Sequence, residues 1–178
     1  MIETKRLYLR ELQESDLPAL KKILQDEETM TAYEGAFDDQ MVQNWLDKQL
    51  MNYQRDGFGL WAVVLKETEE MIGQCGLTWQ LVETDQVLEI GYLFQREFWH
   101  QGYAIEAAQA CKKYAFEKLQ VQEIFSIIRD TNRASKKVAE RNGMIRRQKI
   151  VKHYRGVDMP HDVYSIQQLG KWLCPDLK

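Results

Sequence analysis

The chain has 178 residues and a mass of 21.1 kDa, and its 44% hydrophobic and 29% charged residues exclude a disordered or fibrous chain and fit one globular domain with a sizeable core. The longest apolar run, residues 60–65, is six residues against the roughly 20 of a spanning helix, and the opening Met1-Ile2-Glu3-Thr4-Lys5-Arg6 lacks a signal peptide's apolar segment, so a cytoplasmic location is expected. The net charge of −3 hides an asymmetry: residues 129–155 hold ten Lys or Arg against two acids, a net of +8, which leaves −11 for the remainder.

In chain order, residues 4–10 alternate polar and apolar side chains as a half-buried strand does. Ser15 is a good cap for a helix carrying Leu17, Leu20, Ile23 and Leu24, and a second helix is predicted over about residues 39–55, stopping at Gly57. Residues 60–66, 71–81 and 87–94 read as strands joined by polar turns, hence antiparallel hairpins. After Gly102 a helix runs to about Leu119 with a face of small residues (Ala104, Ala107, Ala108, Cys111, Ala115) suited to close packing on a sheet. A strand over residues 123–129, a helix over 133–142 capped by Asn132 and stopped by Gly143, and strands over about 144–153 and 163–168 complete the order. The expected class is α+β, a mixed, mostly antiparallel sheet of about seven strands flanked by about four helices, in a single domain over residues 1–178.

Most catalytic signatures are missing: no phosphate loop, dinucleotide fingerprint, nucleophile elbow or zinc-protease motif occurs, and His100, His153 and His161 have no metal-ligand spacing. No metal site is expected. Cys75, Cys111 and Cys174 are odd in number and far apart, which suits reduced thiols. Two junctions stand out. Residues 92–107 take an apolar strand through a short loop into a helix N-terminus, whose free N–H groups and dipole can receive phosphate, and Gly102 lets a ligand approach the backbone. Residues 130–144 carry Asn132 as a helix cap with Ser135 facing the same end.

Together the opening Thr4-Lys5-Arg6-Leu7-x-Leu9-Arg10, the stretch Glu89-Ile90-Gly91-Tyr92 followed by Trp99-x-x-Gly102-Tyr103-Ala104-x-Glu106-Ala107, and Asn132-x-x-Ser135 with Gly143-Met144 resemble the GNAT superfamily of acetyl-CoA-dependent N-acetyltransferases, in the branch of the ribosomal-protein alanine acetyltransferases RimJ and RimL. The resemblance implies a GNAT-type acyl-CoA acyltransferase fold in which Trp99, His100, Gln101, Gly102, Tyr103 and Ala104 wrap the pyrophosphate of acetyl-CoA. It places the pantetheine arm along Tyr92, Leu93 and Phe94, with Asn132 on that arm and Ser135 near the sulfur. Trp99 and His100 depart from the superfamily's loop signature. The position of the tyrosine that protonates the departing thiolate in many members is here Ala139, which makes Ser135 the substitute candidate.

The implied reaction is direct attack of a primary amine, a protein N-terminus or a small molecule, on the thioester in a ternary complex. At pH 7.4 an α-amine of pKa about 7.8 is roughly 30% neutral and a lysine-like amine of pKa about 10.4 roughly 0.1%, so only the second needs a strong base. Glu89, among Val87, Leu88, Ile90 and Tyr92, is the candidate base, since desolvation raises a carboxylate's pKa. Glu106 reads as complementing a helix dipole. Tyr33, Phe37, Trp79, Tyr154, His161 and Tyr164 are candidates for an acceptor pocket. The +8 block fits a phosphorylated cofactor and the acidic remainder a cationic acceptor, with a homodimer among the expected assemblies and neither a membrane nor a nucleic acid as partner. A catalytically idle acyl-CoA-binding or regulatory domain is the alternative reading.

Overall fold

The computed structural model describes residues 1–154 and 156–168, so Arg155 and Cys174 lie outside the described residues. Where a single first strand is expected, the chain instead turns back on itself: β1 (Ile2–Glu3) pairs with β2 (Leu7–Arg10) in the register Ile2↔Leu9. Thr4 closes the turn, its N–H donating to the Leu7 carbonyl at 2.9 Å and its Oγ1 accepting the Leu7 N–H at 3.0 Å. The turn leaves the Arg6 side chain outside the ladder, which matters below.

Six further strands follow: β3 (Leu60–Leu65), β4 (Glu70–Val82), β5 (Asp85–Phe94), β6 (Glu123–Arg129), β7 (Ile145–Tyr154) and β8 (Val157–Gln167). They complete an eight-stranded sheet in the order β1-β2-β3-β4-β5-β6-β8-β7. Every neighbouring pair is antiparallel except β5 and β6, which run parallel and share one register pair, Glu89↔Phe125. The sheet therefore opens beyond that rung.

Four α-helices cover the two faces: α1 (Leu17–Leu24), α2 (Asp39–Asp56), α3 (Tyr103–Glu117) and α4 (Arg133–Arg141). Asp16, not Ser15, stands at the start of α1, because its carboxylate is drawn to the Gln13 N–H at 2.8 Å and to Arg10. The ends of α2 follow the sequence: Asp38 accepts the Met41 N–H at 2.8 Å and Gly57 terminates the helix at φ 76°. On the front face α2 is tied to the sheet by the Trp45 indole N–H, which donates to Gln74 Oε1 at 2.9 Å, and α1 packs beside it. On the back face α3 presents Ala107, Ala108, Cys111 and Ala115, all fully buried, and lies close enough that Cys111 Sγ is 3.5 Å from Cys75 Sγ. No helix among the described residues is long and apolar enough to cross a membrane.

Candidate active site

Past β5 the chain makes a short turn, with the Trp99 indole N–H donating to the Phe94 carbonyl at 2.9 Å, and then enters α3 through His100 (φ 61°) and Gly102 (φ 79°), both left-handed. The second position suits glycine, since its backbone is left-handed while a Cβ there would meet only ordinary contact with the Arg6 guanidinium. The N–H groups of Tyr103, Ala104 and Ile105 find no acceptor among the described residues, as at the start of any helix, and they point out of a dipole's positive end.

Arg6 braces this loop. Its Nη1 donates to the Gln101 carbonyl at 2.9 Å, its Nε to Glu106 Oε2 at 2.7 Å, and its guanidinium lies 4.3 Å above the Tyr103 ring. Glu106 Oε1 also accepts the Thr4 hydroxyl at 2.6 Å and the Arg6 N–H at 2.8 Å. Burial pushes the Glu106 carboxyl upward, but those donors and the Arg6 charge outweigh it and hold the group below its ordinary value. Glu106 thus joins the N-terminal turn to α3 and is occupied there.

Beyond the Glu89↔Phe125 rung, side chains take over the backbone's partners. The Ile127 N–H donates to Glu89 Oε1 at 3.0 Å and the Ser126 hydroxyl to the Ile90 carbonyl at 3.0 Å. Further along, the Tyr92 hydroxyl spans the opening to donate to the Ser135 carbonyl at 2.8 Å. Asn132 Oδ1 accepts the Ser135 N–H at 3.0 Å, so the two residues are bound into the start of α4, while the Ser135 hydroxyl makes no hydrogen bond to a described residue. Ala139, one turn on, is buried and has nothing to donate. Glu89 stands at the fork. Burial raises its pKa, with the Lys152 charge and the Ile127 N–H opposing. Burial also keeps the Tyr92 phenol protonated, well above its ordinary value.

Strand alternation and register assign the candidate acceptor residues to faces. Glu89 shares the front face with Phe125, Ile127 and Arg129 of β6, His161 of β8, and Lys152 and Tyr154 of β7. Tyr33 leans on the same group: burial pushes its phenol up, with Glu89 and Tyr154 adding to the effect. Phe37 belongs to the edge-on cluster of Tyr33, Phe37 and Trp45, with centroids 5.8 to 6.3 Å apart. Trp79, opposite Leu88, and Tyr164, whose hydroxyl points to Glu140 of α4, stand on the back face, so they do not join this pocket.

The basic block does not act as one patch. Lys136 and Arg146 converge on Asp162 at 2.5 and 2.7 Å, Lys149 pairs with Asp130 at 2.9 Å, and Arg129 pairs with Glu34 at 2.5 Å while donating to the Thr31 carbonyl at 2.8 Å. Arg133, Lys137 and Arg141, four apart on α4, remain as an exposed stripe. Asp130 belongs to the block itself, so of these acids only Asp162 and Glu34, brought in by the fold, offset part of the +8. Arg6 and Lys152 were not legible as site groups: Arg6 is distant in sequence from the loop it holds, and the side-chain directions of β7 depend on a register shift between Arg146 and Gln148.

A mixed sheet that opens between two parallel strands, with a helix N-terminus on one side and a half-buried carboxylate at the fork, defines an acyltransferase-type α+β fold. Residues 6–145 match the family described as acetyltransferase (GNAT) domain, and the chain belongs to that family. The Bacillus subtilis (strain 168) protein YkkB is 39% identical over 142 residues, which are 79% of this chain and 83% of YkkB. A crystal structure of an acetyltransferase from Agrobacterium tumefaciens C58 superposes with a TM-score of 0.75 at 30% identity, covering 94% of each chain. At 20% identity, the ribosomal L7/L12 α-N-protein acetyltransferase RimL in complex with coenzyme A shares the fold, with a TM-score of 0.74 over 92% of this chain and 95% of RimL.

Proposed function

We propose that this chain, as a single domain, transfers an acetyl group from acetyl-CoA to a primary amine in a ternary complex, and that donor and acceptor reach the reaction from opposite faces of the sheet. The observation that carries this reading is the fork itself, with Glu89 on the front face and the Tyr92 to Ser135 bridge on the back. The free N–H groups of residues 103–105 and the exposed α4 cations fit a pyrophosphate and its neighbouring phosphate, and the unpaired edge of β5 at Tyr92, Leu93 and Phe94 fits an amide-rich arm. Acetyl-CoA, when bound, supplies a thioester whose carbonyl accepts the amine and whose sulfur leaves as thiolate. Glu89 Oε2, the oxygen not held by Ile127, takes the amine's proton as the C–N bond forms. The Ser135 hydroxyl, whose backbone carbonyl accepts the Tyr92 phenol, donates a hydrogen bond to the sulfur as the C–S bond breaks, and the thiolate takes its proton from solvent as Glu89 gives up the amine's proton to it. Relatedness to RimJ and RimL is the finer assignment, supported by the shared fold and by the motif residues Thr4 to Arg10, Trp99 to Ala104 and Asn132-x-x-Ser135.

Thiol release from acetyl-CoA, followed with a thiol reagent across a panel of amines, tests the reading. Amine-dependent release is expected. Coenzyme A binding without release for any amine would leave the idle acyl-CoA-binding domain as the function.

A further inference from the structure

On the wall that faces Glu89, the Lys152 cation makes no ion pair among the described residues. Lys152 lies on the front face of β7, opposite Met159 and one front-face position beyond Ile150, in the rung next to Arg129↔His161↔Ile150. It is half-buried, and its ammonium makes no ion pair or hydrogen bond with a described residue, although its charge reaches both Glu89 and His161. Its neighbour Arg129 is committed to Glu34 and the Thr31 carbonyl. His161 donates from Nδ1 to the Met159 carbonyl at 2.8 Å, which leaves Nε2 as an acceptor only, since burial keeps the ring neutral. The front face thus presents two acceptors, Glu89 and His161, beside one half-buried ammonium that makes no ion pair with a described residue. An ammonium placed so is a ready partner for an anion, which it binds more strongly than a neutral acceptor.

Resting on the acetyl-transfer reading, we infer that the acceptor is an amine bearing an anionic group, a carboxylate or a phosphate, and that Lys152 of the front-face wall binds that group while the amine faces Glu89. The acidic balance of the chain points the other way, but the acids beside this wall are engaged, Glu34 with Arg129 and Asp130 with Lys149. A protein N-terminus followed by neutral residues offers this ammonium only neutral acceptors, which bind it more weakly than an anion does, so it is the poorer acceptor of the two classes. Lys152 is a specificity-determining residue here and takes no part in the chemistry.

The test uses the full chain as wild type, Lys152→Met and Lys152→Arg, with amines that differ only in the anion: β-alanine against propylamine, and O-phosphoethanolamine against ethanolamine. Wild type is expected to prefer the anionic member of at least one pair, and the pair that responds identifies the anion. In Lys152→Met the preference should fall about 10-fold, the size of one charge-assisted hydrogen bond, with the neutral amine unaffected and Lys152→Arg restoring part of the loss. Equal preference in wild type and Lys152→Met, or an equal fall for both members of a pair, overturns the inference. If no amine is acetylated, calorimetric titration of the same amines into the protein saturated with coenzyme A separates the two readings. β-Alanine or O-phosphoethanolamine bound by wild type and lost in Lys152→Met sustains the role of Lys152 while acetyl transfer fails, and no anion-dependent binding overturns both.

Discussion

Replacing Arg6 with alanine separates a structural tie from a functional brace. The substitution removes the 2.7 Å bond to Glu106, the 2.9 Å bond to the Gln101 carbonyl and the contact with the Tyr103 ring. The Arg6 side chain is 38% exposed and Glu106 18%, so the full strength of a buried pair does not apply. Glu106 also keeps the Thr4 hydroxyl and the residue 6 N–H. Charge-assisted hydrogen bonds discounted for that exposure give a loss of about 1–2 kcal/mol, or a fall in Tm of about 2–8 °C for a domain of this size. Because the Glu106 pKa is depressed in the folded protein, its stabilisation is present above the unfolded value and is lost as pH falls through the folded one. The gap between wild type and Arg6→Ala should therefore narrow below about pH 4.3. Freed from Arg6, the Gln101 carbonyl no longer fixes the loop at the start of α3, and the Kd for coenzyme A should rise about 3- to 10-fold, one modest interaction's worth. Thermal unfolding and calorimetric titration of coenzyme A read the two effects. A lower Tm with unchanged coenzyme A affinity would reduce Arg6 to a link between the N-terminal turn and α3 and refute the bracing argument.

Four other substitutions test the site and its support. Glu89→Gln keeps an acceptor for the Ile127 N–H and removes a carboxylate whose charged form burial disfavours, so at pH 7.5 its Tm should equal or exceed that of wild type. A carboxyl raised in the folded state contributes stability below its unfolded pKa that is lost as pH rises through the folded value, so the gain should vanish in acid. The same variant should lower kcat, more for a lysine-like amine than for an α-amine, and wild-type kcat/KM should fall with an acid limb above the ordinary carboxylate value; superimposable pH profiles for the two proteins would remove Glu89 from the chemistry. Ser135→Ala spares the backbone bonds of that residue, so Tm should hold while kcat falls; unchanged kcat would mean that the Ser135 hydroxyl does not serve the sulfur. Tyr92→Phe should cost about 1 kcal/mol in chemical denaturation through the lost 2.8 Å bridge, and no change in stability would mean that the bridge is not formed in solution. Asp162→Asn leaves Lys136 and Arg146 converging on an uncharged group and should cost about 2 kcal/mol, readable as a lower denaturation midpoint.

Three helix ends were readable because capping is local: Gly57, Asn132 and Gly143 each act through hydrogen bonds or dihedrals within a few residues, whereas Ser15 gave way to Asp16, whose carboxylate is held by Arg10 and the Gln13 N–H. So was the loop before α3, where a left-handed glycine must precede a helix start. The expectation of one strand over residues 4–10 failed at Thr4, since the alternation there cannot distinguish a strand from a strand that turns on a threonine hydroxyl. The pairing within the basic block was hidden for a related reason. Charge can be counted in a sequence, but the Asp162 and Glu34 that offset part of it are chosen by strand pairing and by the turn ahead of α2.

The sequence by itself determined the order of elements from α1 onward, the glycine turn before α3 and the presence of an apolar strand carrying Glu89. Only the tertiary structure decided how that strand is paired. Its parallel pairing with β6 lasts for one rung, and past the fork the Glu89 carboxylate substitutes for a missing backbone partner while Tyr92 reaches across to Ser135. Lys152 and His161 come to face Glu89 through the register of β6, β8 and β7, including a shift between Arg146 and Gln148 that sets which side chains of β7 look forward. Such choices depend on contacts between residues far apart in the chain, where a one-residue slip reverses a whole face, and local residue patterns carry no record of them.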